Sequence, residues 1–331
     1  MLLIGTGTVG NAFVQRYQRL RHAGLPLPAL RWLSNSRALA ACGPCAVRTL
    51  VQLNAAPVGS IDAMDPVERL GAGDVVVDAT ASDAVAAGHA HWLSQGVAVV
   101  TANKLGLGSD SGRACAIEQA RARAHYGNAA TVGAGLPVLN TLRALIAGGD
   151  RIHSVEGVLS GSMGWLFRHY RGHGFAALLA QAQAAGYTEP DPRLDLAGHD
   201  VQRKLLIAGR CAGWAVELRD VPVDPALAAA VSAAKLTDLS DLEAFFAQQW
   251  QSAQRAGKTL MLVGQVSADG GGVQVRAVAG DDPLAGGNGT DNRVVIRSDR
   301  YAHSPLVIQG PGAGAEVTAA ALLDDVLALA A

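Results

Sequence analysis

Short aliphatic runs alternate with alanine-rich stretches along the first hundred residues of the chain. The spacing of apolar side chains over residues 9–21 predicts a helix directly after the first run. Four runs predict strands: residues 2–4, 29–33, 74–79 and 97–101. Continuous aliphatic strands separated by helices are typical of a parallel sheet that is covered on both faces. The pattern therefore predicts a doubly wound α/β domain.

The pattern changes after residue 130. A helix and three strands are predicted in this half of the chain: residues 138–147, 154–159, 260–266 and 273–278. The last two strands flank a glycine-rich turn at residues 268–272, which predicts a β-hairpin. We therefore expect a second, α+β domain with a mixed or antiparallel sheet. An Ala/Leu-rich helix ends the chain and is expected to return to the first domain.

Composition narrows the function classes. The 331 residues carry a formal net charge of −1, and 50% of them are hydrophobic. A nearly neutral chain without a basic block argues against nucleic acid or an anionic membrane surface as the main partner. Gly, Pro, Asp or Arg interrupts each apolar run before it could span a bilayer, and no basic leader precedes the first strand. We expect a cytoplasmic protein that acts on a small molecule.

The four cysteines include a Cys-Gly-Pro-Cys pattern at residues 42–45. Such a pattern is a redox motif when it opens a helix after a strand in a thioredoxin-like unit. Here it lies in an alanine-rich stretch and no tryptophan directly precedes it. We interpret it as a surface loop.

A glycine loop follows the first predicted strand. Its sequence, Gly-Thr-Gly-Thr-Val-Gly, matches the G-x-G-x-x-G fingerprint of Rossmann-type dinucleotide-binding domains. The first glycine allows a tight turn, the second lets the backbone approach a pyrophosphate, and the third lets helix and strand pack closely. The predicted cofactor-binding residues are Gly5, Thr6, Gly7, Thr8, Val9 and Gly10.

The cofactor preference should be readable at the end of the second strand, where an acid would hold the ribose hydroxyls of NAD. Residues 33–37 contain no acid, and Arg37 is available to pair with a 2′-phosphate. NADP is therefore favoured and NAD is the alternative. An ordinary surface arginine would give the same pattern.

Polar residues also follow two further predicted strands, at the edge where open α/β sheets bind their ligands. Thr80 and Ser82 come after the third strand, and Lys104 comes after the fourth. We predict that Thr80 and Ser82 contact the cofactor and that Lys104 contacts cofactor or substrate. A solvated loop lysine is the alternative for Lys104.

Residues 186–204 concentrate the polar chemistry of the second half. Two prolines in this segment stop any helix and predict an extended loop that is dense in carboxylates. Asp195 is expected to cap a helix that runs to about residue 211.

Asp200 and Lys204 are i,i+4 neighbours on this predicted helix, beside an apolar stripe of Val201, Leu205 and Ala208. An exposed ion pair of this kind contributes only about 0.3–0.5 kcal/mol. A lysine at the edge of a buried stripe is instead poised for proton transfer by desolvation and a neighbouring carboxylate. The residues alone leave both interpretations open.

The segment resembles the signature of homoserine dehydrogenases, in which an Ala precedes G-Y-T by four residues and the run closes D-L-x-G-x-D-x-x-x-K. The matching residues are Ala182, Gly186, Asp191, Pro192, Asp195, Gly198, Asp200 and Lys204. The resemblance covers essentially the whole chain, including residues 5–10, 101–104, 131–137, 160–162, 312–314 and 317–319.

The resemblance implies NAD(P)H-dependent interconversion of L-aspartate 4-semialdehyde and L-homoserine, on the route to threonine, methionine and isoleucine. It implies that Lys204 gives a proton to the carbonyl oxygen and that Lys104 contacts cofactor and substrate oxygen nearby. Glu189 and Asp200 would bind the substrate ammonium, with Asp195 in support. Two carboxylates would thus neutralise an ammonium while lysines face the oxygen on which negative charge develops.

Further expectations come with the same resemblance. Gly186 and Gly314 would line the nicotinamide pocket, and the chain would form a homodimer. The domains would be residues 1–130 with 306–331, for the dinucleotide, and residues 131–305, for substrate binding, catalysis and dimerisation. A monovalent cation such as sodium would bind through four backbone carbonyls, those of Ala129, Val132, Ala134 and Leu136.

Some positions depart from the family pattern. Leu194 stands where many relatives have an Asp, so it is given no role. Leu105 follows Lys104 where a second Lys is common, and Ala129 replaces a frequent Glu. The resemblance implies the monofunctional form of the family, without the aspartate kinase region or the C-terminal regulatory domain of some relatives.

Two other functions remain open from the sequence. A different small semialdehyde dehydrogenase would keep the glycine loop and lose the set formed by Glu189, Asp200 and Lys204. A catalytically silent NADPH-binding sensor would bind cofactor without turnover, which agrees poorly with an intact set of acids and lysines.

Overall fold

The computed structural model describes residues 1–55, 70–188, 191–235, 238–287 and 289–329. The chain forms two compact units: Met1–Leu136 with Ala313–Ala331, and Pro137–Gly312. The predicted combination of a doubly wound domain and an α+β domain is confirmed. The predicted functional domain boundaries, after residues 130 and 305, stay a prediction.

The first unit is a layered α/β structure. Its elements are β1 (Leu2–Ile4), α1 (Thr8–His22), β2 (Trp32–Ser34), β3 (Leu39–Ala41), α2 (Ala46–Ala55), β4 (Val75–Asp78), α3 (Asp83–Ser94), β5 (Ala98–Thr101), α4 (Ser111–Ala120), β6 (Tyr126–Gly127) and α12 (Ala315–Leu327). The strand order is β3-β2-β1-β4-β5-β6. All neighbouring strands are parallel except β2 and β3, so an antiparallel edge strand that the sequence pattern does not predict closes one side.

The central strands of this sheet are buried along their whole length, which explains their uninterrupted aliphatic sequence. Every residue of β1, β4 and β5 is buried. On one face, Phe13 of α1, Leu50 of α2 and Leu322 of α12 belong to a single apolar cluster with Leu33 of β2. Each such side chain contributes about 1.5–3 kcal/mol on burial. The last helix therefore packs with the first helix.

The second unit places helices against an antiparallel sheet. Its elements are α5 (Val138–Ala147), β7 (Ile152–Val158), α6 (Gly161–His169), α7 (Phe175–Ala184), α8 (Arg193–Leu196), α9 (His199–Cys211), α10 (Pro225–Ala233), α11 (Ser240–Arg255), β8 (Thr259–Ser267), β9 (Gly270–Val278), β10 (Asp291–Ser298) and β11 (Leu306–Pro311). The strand order is β11-β10-β7-β8-β9, and all neighbouring strands are antiparallel.

The β8–β9 hairpin is confirmed, but its turn is shorter than the predicted residues 268–272. Ser267 pairs with Gly270, so three glycines belong to the strand. A Cβ at Gly271 would overlap the carbonyl oxygen of Gln265, and one at Gly270 would lie 2.7 Å from the carbonyl oxygen of Asp220. The glycines are there because neighbouring backbone comes too close for a side chain.

Helix α9 packs on the sheet through the predicted stripe of Val201, Leu205 and Ala208, which is buried. A Cβ at Gly264 of β8 would lie 2.7 Å from Val201 Cγ1 and from Leu205 Cδ1. The glycine thus lets the helix approach the strand closely. This contact orients the neighbouring turn of α9, on which Lys204 lies.

The prediction that Asp195 caps this helix is wrong. Asp195 lies inside the short helix α8, and Gly198 precedes α9 with a left-handed φ of +72°. A residue with a side chain rarely adopts that conformation, so the glycine sets the break between the two helices. Asp195 is free of the capping role and contacts other groups.

Within the described ranges, no helix is long and apolar enough to cross a membrane.

Candidate active site

The glycine loop joins β1 to α1, as its pattern predicts. Gly5 has a φ of +98°, and a Cβ there would lie 2.8 Å from the carbonyl oxygen of Ala79. A Cβ at Gly10 would overlap the carbonyl oxygen of Gly5, whereas one at Gly7 would meet nothing within 4 Å. Gly7 also stands at the N-cap of α1 without a side-chain cap. The loop therefore has two glycines that packing requires and one that leaves the helix N-terminus open to an anionic group.

Thr6 in this loop is buried and serves the protein internally. Its hydroxyl donates to Asn54 Oδ1 at 2.6 Å and accepts from Asn35 Nδ2 at 2.9 Å. Asn54 lies on α2 and Asn35 directly follows β2, so three elements meet at one hydroxyl. Neither asparagine was predicted from the sequence, because nothing local marks a residue whose partner is distant. Thr8 is exposed and Val9 packs against the core.

Arg37 lies in the turn between β2 and β3 and is exposed. The side chain of Asn35 accepts from the backbone N–H of Arg37 at 2.8 Å and from that of Ala38 at 3.0 Å. The backbone N–H of Gly5 donates to the carbonyl of Ser34 at 2.8 Å. The Arg37 turn therefore leaves the sheet beside the glycine loop.

The turns after β4 and β5 are hydrogen-bonded to each other. Asn103 Nδ2 donates to the carbonyl of Ser82 at 2.8 Å and to the hydroxyl of Thr80 at 3.4 Å. Ser82 caps α3. Asn103 Oδ1 accepts from the N–H of Leu105 at 3.0 Å, which shapes the turn around the half-buried Lys104. Thr80, Ser82 and Lys104 thus lie on one edge of the sheet with the glycine loop.

The buried carboxyl of Asp78 anchors the first of these turns. Its Oδ1 accepts from the N–H of Thr80 at 2.8 Å and from the hydroxyl of Thr80 at 2.6 Å. Its other oxygen lies 3.4 Å from the hydroxyl of Thr101 on β5. Asp78 and Asn103 were visible in the sequence as polar residues at strand ends, but no pattern identified them as supports of the turns.

The segment after β6 has an unusual backbone. Gly133 and Ala134 both have positive φ values, +77° and +52°, and Ala134 is the only residue other than glycine with such a value among those described. The N–H of Leu136 donates to the carbonyl of Gly133 at 2.9 Å. The N–H of Ala129 donates to the buried carboxyl of Asp325 on α12 at 2.9 Å. Consecutive left-handed residues turn the backbone sharply at the segment predicted to bind a cation.

In the second unit, Lys204 and Asp200 form the predicted i,i+4 pair at 2.8 Å. The Lys204 side chain is only 9% exposed and that of Asp200 is 50% exposed. Lys204 Nζ also donates to the carbonyl of Leu159 at 2.7 Å, directly after β7. Burial and a second acceptor distinguish this lysine from an exposed ion pair.

Asp195 contacts the same stretch of chain. Its Oδ1 accepts from the hydroxyl of Ser162 at 2.9 Å, and Ser162 is 3.0 Å from Ser160, which caps α6. Lys204 and Asp195 therefore both hold the segment 159–162. The two serines are part of the family pattern, yet the sequence assigned them no role.

The remaining predicted residues of this region differ in their local surroundings. Gly186 follows α7 with a φ of +72°, and Gly314, in the first unit, precedes α12 with a φ of +121°. Glu189 lies outside the described residues. Arg193 contacts both oxygens of Asp191, at 2.7 and 3.0 Å, and this ion pair lowers the pKa of Asp191.

The Cys-Gly-Pro-Cys pattern lies between β3 and α2. Cys45 is exposed, Cys42 is half-buried, and both are free thiols. Burial raises the pKa of Cys42 to about 11, so this thiol is protonated at neutral pH. Within the described residues, no group of three or more His, Cys, Asp or Glu side chains could hold a metal ion.

Two family models match the chain. One, described as homoserine dehydrogenase, matches residues 137–327. The other, described as homoserine dehydrogenase, NAD binding domain, matches residues 5–127. The second model begins at the glycine loop and ends just before the segment with positive φ values.

Two relatives illustrate the range of lengths. A homoserine dehydrogenase of Emericella nidulans is 32% identical over 98% of this chain and 96% of its own. A bifunctional aspartokinase/homoserine dehydrogenase of Zea mays is 39% identical over 77% of this chain. The matched region spans 29% of the length of the Zea mays protein.

Solved structures with the same fold cover both units. A Candida auris protein of unknown function has a TM-score of 0.85 at 31% identity and covers 99% of this chain and 97% of its own. A hyperthermophilic archaeal homoserine dehydrogenase in complex with NADPH has a TM-score of 0.75 at 21% identity, over 99% of this chain and 96% of its own. The second similarity concerns the fold alone.

Proposed function

The chain belongs to the homoserine dehydrogenase family, and on that premise we propose that it interconverts L-aspartate 4-semialdehyde and L-homoserine. The observation that carries the proposal is the buried Lys204 ammonium. It is paired with Asp200 at 2.8 Å and bound to the Leu159 carbonyl at 2.7 Å. An ammonium removed from water is costly unless it is paired, and this one is paired within the family signature.

Lys204 is the proton donor in this proposal. Two of its three N–H groups contact Asp200 and Leu159 in the part of the chain that the structure describes. The third is available to the carbonyl oxygen of the substrate, on which negative charge develops during reduction. As the aldehyde becomes an alcohol, the proton moves from Lys204 Nζ to that oxygen. Lys104 assists at the same oxygen.

The acids bind the other end of the substrate. Asp200 and Glu189 neutralise the substrate ammonium, and Asp195 holds the surrounding segment through Ser162. Asp200 has half of its side chain exposed although it contacts Lys204, so one carboxylate orients the proton donor and remains accessible to substrate.

The reduced nicotinamide supplies the hydride when it is bound, and the first unit fits a dinucleotide. The open space at Gly7 and the uncapped start of α1 suit a pyrophosphate. Gly186 and Gly314 line the nicotinamide pocket in this proposal. The exposed Arg37, in a turn without an acid, favours NADP over NAD.

A monovalent cation completes the proposed site. The carbonyls of Ala129, Val132, Ala134 and Leu136 would bind it, and the consecutive positive φ values at residues 133 and 134 support this. We also propose a cytoplasmic homodimer that serves the synthesis of threonine, methionine and isoleucine, with residues 131–305 as the catalytic and dimerisation domain.

The decisive assay follows the loss of NADPH absorbance with aspartate 4-semialdehyde. We expect turnover by the wild type and a loss of about 10²–10⁴ in kcat for Lys204→Ala, the range of general acid catalysis. Lys258→Ala, at an exposed lysine of the same unit, is the matched control and should behave as wild type. Absence of wild-type turnover, or full activity of Lys204→Ala, would show that the proposal is wrong.

The cofactor choice has its own test. Arg37→Ala should weaken NADPH binding by about tenfold, one charge-assisted contact, and leave NADH binding unchanged. Arg123→Ala, at another exposed arginine of the first unit, should change neither. An unchanged ratio of NADPH to NADH affinity in Arg37→Ala would remove Arg37 from the cofactor site.

A further inference from the structure

A fully buried histidine lies beneath the turns that hold Thr80 and Lys104. His89 Nε2 is 3.0 Å from Asp78 Oδ2, and both side chains are 0% exposed. His89 Nδ1 is 3.1 Å from the hydroxyl of Tyr126, which is also buried. We propose that His89 and Tyr126 are positioning residues that hold the Asp78 carboxylate, and with it the two turns, in the conformation that binds NADPH. The proposal rests on the proposed function of Thr80 and Lys104.

The direction of the hydrogen bonds follows from the chemistry of the three groups. A carboxylate only accepts, so the ring N–H lies on Nε2 and donates to Asp78. Burial raises the pKa of Tyr126, so the phenol keeps its proton and donates to Nδ1. Tyr126 thereby fixes the tautomer of His89, and both ring nitrogens of this buried histidine have a partner.

Asp78 connects His89 to the turn at the edge of the sheet through hydrogen bonds. His89 holds one carboxylate oxygen, Oδ2, while the backbone and hydroxyl of Thr80 bind the other. The imidazole therefore fixes the rotation of the Asp78 carboxylate about its Cβ–Cγ bond. The hydroxyl of Thr80, oriented in this way, accepts from the N–H of Ser82 at 3.1 Å and from Asn103 at 3.4 Å.

The same pair also contacts the turn of Lys104 directly. A Cβ at Gly106 would overlap the Tyr126 hydroxyl and would lie 3.1 Å from His89 Nδ1. The chain two residues beyond Lys104 therefore rests on the pair, and only a glycine fits there. His89 and Tyr126 support one turn through Asp78 and the other by contact.

Stability alone does not account for this arrangement. Apolar groups of the same shape that replace both partners of a buried hydrogen bond are often nearly neutral or stabilising, so the sheet does not need these hydrogen bonds for its packing. An apolar side chain would fill the space but would not orient the carboxylate oxygens. Orientation of the turns is the property that only the hydrogen-bonded set supplies.

The test uses the full-length protein with His89→Leu, His89→Gln and Tyr126→Phe. His91→Leu, on the exposed face of the same helix, is the matched control. NADPH binding is measured by nicotinamide fluorescence, and kcat and both KM values are measured with aspartate 4-semialdehyde. We expect His89→Leu to raise the NADPH Kd by about tenfold or more, since it removes a hydrogen bond to a charged group. The KM for the semialdehyde should change less than the KM for NADPH.

The conservative variants separate positioning from packing. His89→Gln keeps an N–H donor for Asp78 and should recover most of the NADPH affinity. Tyr126→Phe, which removes one hydroxyl, should raise the NADPH Kd by about threefold, and it carries the test if His89→Leu fails to fold. A folded His89→Leu, or a Tyr126→Phe, with the Kd and kcat of the wild type would overturn the proposal. A wild type that binds NADPH without turnover would instead contradict the proposed function, while the Kd series would still test the positioning role.

Discussion

Asp78 in the first unit and Lys204 in the second are both buried charged side chains, but their partners differ in kind. Asp78 accepts from an imidazole N–H, two hydroxyls and a backbone N–H, all within the protein. Lys204 contacts a carbonyl and a half-exposed carboxylate. A buried charged group whose hydrogen-bonding positions are all occupied by other groups of the protein holds the neighbouring chain in place. A buried charge that keeps a donor and an accessible partner is suited to act on a ligand.

The largest effect outside Lys204 itself should come from Asp200. In Asp200→Asn, Lys204 loses its counter-charge and the substrate ammonium loses one of its proposed ligands, so kcat/KM should fall by about 10² or more. Asp241→Asn, at an exposed acid on α11, should leave kcat/KM unchanged. An Asp200→Asn enzyme as active as this control would show that Lys204 needs no accessible partner.

The glycine loop allows binding and stability to be separated. Gly5→Ala places a side chain at a φ of +98° and 2.8 Å from a carbonyl oxygen, so we expect a loss of about 1–3 kcal/mol of unfolding free energy. Gly7→Ala meets nothing within 4 Å and should leave the melting temperature unchanged. It should nevertheless weaken NADPH binding, because its methyl group would occupy the approach of the pyrophosphate. Equal NADPH affinities for wild type and Gly7→Ala would contradict this assignment.

Asp325, like Asp78, is a buried carboxyl of the first unit that accepts a hydrogen bond from a backbone N–H. Asp325→Ala removes the acceptor of the Ala129 N–H and should cost about 1–3 kcal/mol of stability, whereas Asp325→Asn keeps an acceptor and should cost less.

If the segment next to Ala129 binds a cation, sodium chloride should stabilise the wild type more than choline chloride at equal ionic strength. Equal melting curves in the two salts would speak against the cation.

The smallest effect is expected at the half-exposed pair of Asp191 and Arg193. Arg193 lowers the pKa of Asp191, so the pair stabilises the folded state above the ordinary carboxyl pKa and loses this contribution as the pH falls through the lowered value. Arg193→Ala should therefore show a slight destabilisation at neutral pH that disappears in acid, measured by thermal melts. A larger loss of stability in acid than at neutral pH in Arg193→Ala would contradict this pH dependence.

Local patterns in the sequence predicted most of the fold. The aliphatic runs marked β1, β4 and β5, and the predicted helix at residues 138–147 has the bounds of α5. The edge strand β3 was not predicted, because Leu-Ala-Ala carries no strand pattern of its own. Asp195 was taken for a cap because acids commonly cap helices, but the positive φ of Gly198 ends α8 and begins α9.

The site was less accessible to local reasoning than the fold. Lys204 and Asp200 could be paired from their spacing on one helix, yet burial and the Leu159 contact decide between a surface pair and a reactive lysine. The hydrogen bond from Thr6 to Asn54 joins residues 48 positions apart, and the hydrogen bond from Ala129 to Asp325 joins residues 196 positions apart. Spacing along the sequence predicts contacts only between near neighbours. The residues that hold the site in place through distant contacts can therefore be identified only in the folded structure.

The central claim is that Lys204 delivers the proton, and its most direct test is a single-turnover measurement. Wild type and Lys204→Met, each saturated with NADPH, are mixed with excess aspartate 4-semialdehyde, and the oxidation of bound NADPH is followed. We predict that Lys204→Met binds NADPH with the wild-type Kd and oxidises it at least about 10²-fold more slowly. A single-turnover rate equal to that of the wild type would contradict the claim.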